Sequence, residues 1–447
     1  MQVHIQETTV VRPVKPPFDQ DHILSLSHLD TDRNLLVTLR YIRVYSNNIP
    51  DQQADPFHVI TTALSAALIR YYAFSGTLRR RHSDGRLELH CHVGDGVPVV
   101  RAAVNCPLSL VNYYLDDADV DESLVPDPDE NEDLIRPMTL QLWRVCSRAA
   151  IHHAICDGLG ATLFFNAMAE LARGSGQMTV DPVWDRATLL GARNPPRIEF
   201  PIQEFLSLDK EFSPYMGSGK RVIKEWFNVK EEWLDQLKGL LYKQSGSKFT
   251  TFEALGAFIW RARTKACDVP ENEKVTFAYS INIRKITNPP LPAGYWGNGC
   301  VPMYVHLMAK EVAEQPIWKS ADSIRKSKRN ATNEYVSSFI DFQELHYEEG
   351  INGGRRVSGF TDWRHLGHST VDFGLPVNNQ EADRTSKLHS QPKGRLPGGR
   401  KWVTSNKMKV ADCNWRGRLL CGRTVNRSNR KRCCQTRIKR CCSNKPR

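Results

Sequence analysis

The chain has 447 residues, 40% of them hydrophobic, and a formal net charge of +12. A chain of this length exceeds one compact core, so two domains are expected. No window of about 18 residues stays apolar without a charge or a turn signal, and the first residues lack the apolar segment of a signal peptide. The composition therefore excludes a membrane-spanning class and favours a soluble, cytoplasmic protein.

The positive charge is confined to the end of the chain. Residues 376–447 contain 20 Lys and Arg against 3 Asp and Glu, whereas residues 1–375 contain 41 against 46. The same end segment holds half of the 12 cysteines, and the others lie singly in the body, as in a reduced cytosolic enzyme. Since neither a helical nor a strand period persists in 376–447, this tail is predicted to be disordered.

The first half alternates between helical and strand patterns. An amphipathic helix is predicted from Asp55 as N-cap and Pro56 in the first turn. A strand, GRLELHCHV, follows a turn at Asp84 and Gly85. The acidic run 116–133 contains two prolines and is predicted to be a solvated loop rather than a cation site.

The same alternation continues to the second half. A helix after the segment 151–160 is predicted to end at Gly174. The proline-rich segment 181–220 lacks a sustained period and is predicted to be a crossover between domains. Thr250 and Glu253 have capping-box spacing before a helix, and KVTFAYSINIR alternates as a strand. The pattern predicts two similar α/β halves.

The segment IHHAICDGLG, residues 151–160, contains the most distinctive polar spacing. His153 and Asp157 are separated as His-x-x-x-Asp and are followed by Gly158. A neutral imidazole can take a proton from a hydroxyl or amine that attacks a carbonyl group. A metal site lacks the usual third ligand, and Cys156 as a nucleophile lacks a family signature. The spacing alone leaves these interpretations open, together with two buried core histidines.

Several further blocks occur in a fixed order along residues 1–375. They read LSLSHLDTD, YYAFSGTLRRRHSDGRLELHC, HHAICDG, PVWDRATLL, TTFEALGAFIWRARTKA, INIRKITNPPLPAGYWGN and TDWRHLGHSTVDFG. On these blocks the chain resembles the plant BAHD acyl-CoA-dependent acyltransferases, enzymes of secondary metabolism. The ordered set is far more specific than the His-x-x-x-Asp spacing by itself.

The resemblance implies an α/β fold of two similar chloramphenicol-acetyltransferase-like domains with a channel between them. The expected boundaries are 1–180 for the first domain, 181–220 for the crossover and 221–375 for the second domain. The implied partners are acyl-CoA, which is a co-substrate, and a small acceptor. No metal or other cofactor is expected, and neither a membrane nor a nucleic acid is expected as a partner. The protein is expected to be a monomer.

The resemblance also assigns roles to individual residues of the His-x-x-x-Asp motif. His153 is implied to be the general base that deprotonates the acceptor, without an acyl-enzyme. Asp157 is implied to point away from the channel and to hold the histidine loop, and Gly158 to begin the next helix. His152 has no implied role and is interpreted as a packed neighbour.

The second family motif is DFG, which comprises Asp372, Phe373 and Gly374. By resemblance its aspartate pairs with Arg284, and the pair supports the channel from a distance. Asp372 is counted with His153 as a catalytic residue. Phe373 and Gly374 are implied to be structural.

Two departures from the family pattern qualify this assignment. The family continues with Trp-Gly, but this chain has Leu375 and Pro376. A tryptophan N–H can donate to the developing oxyanion, whereas leucine cannot, and loss of one such donor typically costs about 100- to 1,000-fold in rate. The strand before His153 is shorter than in the family, lacks its glycines and contains Arg144 and Arg148. These features suggest a shifted reading frame or a mis-spliced exon, and an incomplete second domain.

Three functional hypotheses follow from these observations. The blocks TDWRHLG and PVWDRATLL favour transfer of an aromatic or hydroxycinnamoyl group to a polyamine such as spermidine, or to an alcohol. The alternative is a catalytically impaired family member with at most a binding role. A nucleic-acid or zinc function of the basic tail is disfavoured, because its cysteine doublets do not match zinc-site spacing.

Overall fold

The computed structural model describes most of residues 1–374 and one short segment of the tail. The described residues are 3–44, 55–104, 135–143, 146–200, 229–347, 356–374 and 409–410. The strands are β1 (Val3–Val11), β2 (His22–Leu24), β3 (Thr38–Val44), β4 (Thr77–Arg80), β5 (Leu87–Cys91), β6 (Val97–Val104), β7 (Met138–Trp143), β8 (Cys146–His152), β9 (Lys274–Asn282), β10 (Cys300–Met308), β11 (Val357–Thr361) and β12 (Lys409–Val410). The helices are α1 (Pro56–Ala67), α2 (Gly158–Ala172), α3 (Arg186–Leu190), α4 (Glu231–Ser245), α5 (Thr251–Ala266), α6 (Ala309–Glu314), α7 (Ile317–Ser327) and α8 (Asn333–Leu345). The predicted α/β class is confirmed.

The first half contains a five-stranded sheet with the order β1-β6-β7-β8-β3 and a small sheet with the order β2-β5-β4. Helix α1 begins as predicted, since the Asp55 side chain accepts a hydrogen bond from the Phe57 N–H at 3.1 Å. Its buried face includes Ile60 and Leu64 at helical spacing. The helix packs on α2, and both cover the core of this half.

Helix α2 connects the histidine motif to the interior of the first half. Phe164 and Met168 lie one turn apart and are almost completely buried in its core. The chain leaves the helix at Gly174, whose φ of +79° is a left-handed conformation that favours glycine. The predicted end of this helix is thus confirmed.

The second half contains the sheet β10-β9-β11-β12 and helices α4 to α8. Helix α5 has the predicted capping box: the Thr250 side chain accepts from the Glu253 N–H, and the Glu253 carboxylate accepts from the Thr250 N–H. Strand β9 carries Phe277, which is fully buried beneath the helices. The predicted strand and capping box are confirmed.

The two hydrophobic cores exchange side chains across the boundary between the halves. Leu29 and Leu190 pack in the core of the second half. In return, Trp296 and Phe373 pack in the core of the first half. Since apolar burial contributes about 1.5–3 kcal/mol for a large side chain, this exchange helps to fix how the halves are docked.

The shortened strand before His153 still forms a sheet strand. β8 pairs with β7 on one side and with β3 on the other, both antiparallel, and Leu140 lies opposite Ala149. The strand that carries the chain to His153 is therefore hydrogen-bonded on both edges. The expectation that this strand is compromised is not supported by the pairing.

Several predictions lie outside the described residues: the acidic loop 116–133, much of the crossover 181–220, Arg144, Leu375, and the tail apart from β12. Arg148 lies in β8, and its side chain is not described. β12 pairs with Phe360 and Thr361 of β11. In the described ranges, no helix has the length and apolarity needed to cross a bilayer.

Candidate active site

His153 is the first residue after strand β8. Its backbone N–H donates to the Val37 carbonyl at 2.8 Å, and its own carbonyl accepts from the Asn298 side chain at 2.8 Å. The residue is half-buried, while its Nδ1 atom is fully buried. The histidine is therefore held between a segment of the first half and the Trp296–Asn298 segment of the second.

The electrostatic environment keeps the His153 imidazole neutral. Burial lowers its pKa below the ordinary value, because a charged ring loses hydration. Its own backbone carbonyl, Asp157, the Asn298 side chain and Asp30 oppose this effect in part. At neutral pH the ring therefore has one nitrogen with a free lone pair, which is the protonation state that a general base requires.

Asp157 lies at the N-terminus of α2 and performs two structural tasks. One carboxylate oxygen caps the helix by accepting from the Gly160 N–H at 2.9 Å. The same carboxylate binds Arg284 in a bidentate pair at 2.8 and 2.9 Å and accepts from the Gly299 N–H at 3.0 Å. Burial disfavours ionisation, but the guanidinium and the N–H donors outweigh it and lower the pKa of Asp157.

This geometry corrects the predicted partner of Arg284. Its guanidinium binds Asp157 and the carbonyl oxygen of Gly297, and not, as predicted, Asp372. The Arg284 and Asp157 side chains are 14% and 8% exposed, so each charge requires the other. The Arg284–Asp157 ion pair joins the second half to the helix that follows the histidine loop.

Asp372 lies at the opposite end of α2 from His153. Its carbonyl oxygen accepts from the side chain of Arg173, the C-cap of the helix, and its carboxylate accepts from the Gly374 N–H at 2.9 Å. A helix of 15 residues separates its two ends by roughly 20 Å. Asp372 therefore lies at a distance from His153, and counting it as a catalytic residue is wrong, because its side chain cannot reach the atoms that react there.

The other two DFG residues support that far end of the helix. Phe373 is 4% exposed and packs in the core of the first half, and Gly374 follows with a φ of +70°. Gly158 begins α2, as predicted. The DFG motif thus ties the second half to α2 by packing.

A buried ion pair beneath the histidine loop was not recognised in the sequence. Arg186 pairs with Asp30 at 3.0 Å, and both side chains are fully buried. The same guanidinium donates to the carbonyl oxygens of Ala154 and Ile155, inside the histidine loop, at 3.4 and 2.6 Å. Arg186 therefore holds the backbone that follows His153.

Aromatic rings enclose this arginine. The Arg186 guanidinium carbon lies 3.7 Å from the ring centroid of Trp184 and 5.1 Å from that of Trp296. Such contacts stabilise a desolvated guanidinium. Asp30 and Arg186 belong to the blocks LSLSHLDTD and PVWDRATLL, but nothing in the spacing of these blocks shows that the two residues meet.

Asn298 and Gly160 are two further residues that the motif analysis missed. The Asn298 side chain bridges Asp30 and His153, with its nitrogen 2.9 Å from Asp30 and 2.8 Å from the His153 carbonyl oxygen. A Cβ atom on Gly160 would lie 2.0 Å from the carbonyl oxygen of Trp296, so only glycine fits there. Both residues allow the second half to approach the histidine loop closely.

The neighbouring titratable groups do not share the position of His153. Cys156 is 1% exposed, and burial raises the pKa of its thiol, so the reactive thiolate is disfavoured. His152 is 4% exposed, and burial lowers its pKa to about 4. Across the described ranges, no three His, Cys, Asp or Glu side chains cluster in a way that could hold a metal ion.

A cavity of about 420 Å³ lies where the first half meets the crossover and α8. Its charged lining comprises Asp84, Glu88, Glu344, Arg81, Arg86 and Arg193. Arg81 pairs with Asp84, and Arg86 with Glu344 at 3.0 Å. Because these charges are matched, the cavity does not present a field of one sign.

Comparison with known proteins agrees with this architecture. A family model described as the transferase family matches residues 1–385. The chain therefore belongs to this family, the BAHD acyl-CoA-dependent acyltransferases, and it is an acyltransferase.

Two similar relatives come from Arabidopsis thaliana. Spermidine sinapoyl-CoA acyltransferase is 31% identical over 411 residues, which cover 86% of this chain and 89% of the relative. Spermidine coumaroyl-CoA acyltransferase is 32% identical over 395 residues, which cover 82% and 83%. The crystal structure of vinorine synthase shares the fold with a TM-score of 0.62 and 21% identity, covering 84% of this chain and 87% of that one.

Proposed function

We propose that this acyltransferase moves a hydroxycinnamoyl or related aromatic acyl group from CoA to an amine, such as the polyamine spermidine, or to an alcohol. The observation that carries the proposal is the neutral, half-buried imidazole of His153, held at the contact between the two halves. The relatives named for spermidine and for coumaroyl- and sinapoyl-CoA support the substrate classes.

In the proposed mechanism His153 is the general base. It takes a proton from the acceptor amine or hydroxyl while that group attacks the thioester carbonyl, so that a C–N or C–O bond forms. The tetrahedral intermediate then collapses, the C–S bond breaks, and the proton passes from the imidazolium to the departing thiolate of CoA. No acyl-enzyme is formed.

The remaining components of the proposal are simple. Acyl-CoA is a co-substrate, no metal or other cofactor takes part, and the protein acts as a monomer in the cytoplasm. Asp157 and Arg284 hold the loop and exchange no proton with the substrate, because their charges are satisfied by each other.

A catalytically impaired protein is the second candidate. In the described residues, β11 pairs with only two residues of β12, Lys409 and Val410, on its outer edge. The departures from the family pattern before His153 and after Gly374 favour this candidate, which would bind acyl-CoA without efficient turnover. The two candidates differ in whether CoA is released in the presence of an acceptor.

The deciding experiment measures CoA release by the purified full chain with coumaroyl-CoA or sinapoyl-CoA. Spermidine and a long-chain alcohol are tested separately as acceptors, and the acylated product is identified by mass spectrometry. The proposal predicts acceptor-dependent turnover with at least one pair. Binding of acyl-CoA without turnover would favour the impaired protein.

His153→Ala tests the mechanism, and His58→Ala is a matched control at an exposed histidine of α1. Loss of a positioned general base lowers the rate by about 100- to 10,000-fold. We expect that loss for His153→Ala and none for His58→Ala. Turnover that survives His153→Ala would contradict the base assignment.

A further inference from the structure

Two buried polar atoms beside the reaction centre lack hydrogen-bond partners. They are Nδ1 of His153 and Oδ1 of Asn298. Buried polar atoms in folded proteins are almost always hydrogen-bonded, so two orphans on adjacent side chains require an explanation. The residues are already joined, since the Asn298 nitrogen donates to the His153 carbonyl oxygen at 2.8 Å.

The orientation of the Asn298 amide is determined by its other contacts. Its Nδ2 atom lies 2.9 Å from a carboxylate oxygen of Asp30 and 2.8 Å from the His153 carbonyl oxygen. Both partners only accept hydrogen bonds, so the amide must direct its NH₂ group toward them. The amide oxygen is consequently directed elsewhere and is available as an acceptor.

Asn298 is itself rigidly held. Its backbone N–H also donates to Asp30 at 2.9 Å, and the other oxygen of Asp30 pairs with Arg186 at 3.0 Å. Asp30 and Arg186 are fully buried. The Asn298 amide is therefore hydrogen-bonded to a buried ion pair, which restricts its reorientation.

The two orphan atoms are chemically complementary. A neutral imidazole has one N–H donor and one acceptor nitrogen, and an amide oxygen only accepts. A bond between them is possible only if Nδ1 carries the hydrogen. That tautomer leaves the lone pair on Nε2, where it can receive the proton of an acceptor substrate.

We propose that Asn298 is the positioning residue for His153: its amide oxygen receives the Nδ1 hydrogen and thereby selects the tautomer whose Nε2 is the base. This inference rests on the proposed role of His153. Hydrogen bonds of this kind are often long without substrate and shorten when substrate is bound.

Asn298 also strengthens the base during the reaction. When Nε2 takes the proton, the imidazolium places positive charge near the Asn298 oxygen. The bond therefore strengthens as the proton is transferred, so its loss reduces kcat more than it changes the KM for acyl-CoA.

The first test determines the tautomer directly in the unmodified chain. Histidine labelled with ¹⁵N distinguishes a protonated from an unprotonated ring nitrogen by chemical shift, and His153→Gln identifies the signal of residue 153. At pH 7 we expect Nδ1 protonated and Nε2 unprotonated. An Nε2–H tautomer in the unmodified protein overturns the inference, whatever its activity.

The second test uses Asn298→Ala, with Arg284→Gln as a matched control. Arg284→Gln loosens the same loop through Asp157 but leaves the Asn298 oxygen in place. For Asn298→Ala we expect kcat to fall by about 10- to 100-fold, the range known for hydrogen-bond partners that orient metal-binding histidines, with KM for acyl-CoA nearly unchanged. The acid limb of kcat/KM should move to lower pH, and the tautomer signal should become mixed.

For Arg284→Gln we expect that limb not to move to lower pH and the Nδ1–H tautomer to remain. If Asn298→Ala keeps the limb and the tautomer of the unmodified protein, the backbone carbonyl of His153 is sufficient and the inference is overturned. If instead His153→Ala remains fully active, the proposed function fails first. An inactive His153→Ala with an unaltered Asn298→Ala removes only the present inference.

Discussion

The two family motifs lie at opposite ends of α2. The ends differ in whether their charged side chains are buried in an ion pair. At the N-terminal end, Asp157 and Arg284 form a bidentate ion pair that is buried between the halves. At the C-terminal end, Arg173 donates to the carbonyl oxygen of the half-buried Asp372, and Phe373 packs in the core of the first half. The comparison shows that a conspicuous motif can act at a distance from the chemistry, through packing and a backbone hydrogen bond.

Because Asp157 is buried, the N-terminal end of α2 depends more strongly on compensating partners than the C-terminal end does. A buried charge is costly unless a partner of opposite sign and further hydrogen bonds replace its hydration. Asp157 accepts five such bonds, two from Arg284 and one each from Gly160, Gly299 and the Cys300 thiol. Charged groups near solvent at the C-terminal end need no such enclosure, so we expect substitutions there to have much smaller effects.

The largest effect on stability is expected for Arg284→Ala, which leaves Asp157 buried without its cation. Removing one member of a buried pair costs about 3–5 kcal/mol in the free energy of unfolding. Urea unfolding measures the change. Arg173→Ala, at the other end of the same helix, is the matched control and should cost about 1 kcal/mol or less.

The double variant Arg284→Ala with Asp157→Asn tests the cause. Asparagine retains an oxygen to cap α2 and removes the uncompensated charge. It should recover part of the stability lost in Arg284→Ala. If the double variant loses as much stability as Arg284→Ala, or more, the uncompensated charge of Asp157 is not the reason for the difference between the two ends.

The region at the N-terminal end of α2 should also make the stability of the fold sensitive to acid. His152 precedes His153, and burial lowers its pKa from 6.5 to about 4. Above pH 6.5 the ring is neutral in both folded and unfolded chains. As the pH falls, the unfolded chain takes up a proton before the folded one, so stability falls between pH 6.5 and about 4, by about 3 kcal/mol in total.

Urea unfolding of the unmodified chain and of His152→Gln at pH 7, 6, 5 and 4.5 tests this linkage. The variant should lose less stability on acidification, because the buried ring is absent. An identical pH dependence in both proteins would show that His152 is not the group responsible. The lowered pKa of His153 acts in the same direction and remains in both.

The smallest effect is expected for Asp372→Asn. The side chain accepts from the Gly374 N–H at 2.9 Å, and the residue is half-buried. Asparagine can retain that bond, so we expect a loss within about 0.5 kcal/mol and nearly unchanged kcat. A loss of activity comparable with that of His153→Ala would restore Asp372 to the catalytic set.

Local patterns were sufficient to predict the elements that surround the site. The Asp55 cap of α1, the capping box of α5 and the Gly174 end of α2 involve residues within a few positions of each other. Their hydrogen bonds depend on sequence spacing, and the structure confirms them. His153 as a candidate base was also predicted, from its motif and from the resemblance.

The partners of the motif residues could not be predicted in the same way. Resemblance paired Arg284 with Asp372, whereas the structure pairs it with Asp157, 127 positions away. The contact of Asp30 with Asn298 joins residues 268 positions apart. No local period encodes such contacts, because they exist only when the second half docks against α2.

Hydrophobic periods, caps and recognisable blocks were enough to predict the class of fold, the position of the main elements and His153 as the candidate base. The charged residues that surround His153 become apparent only when distant segments pack together. Burial converts Asp30, Arg186, Asn298, Asp157 and Arg284 from separate polar residues into one network, because each must replace lost hydration with a partner supplied by a distant segment.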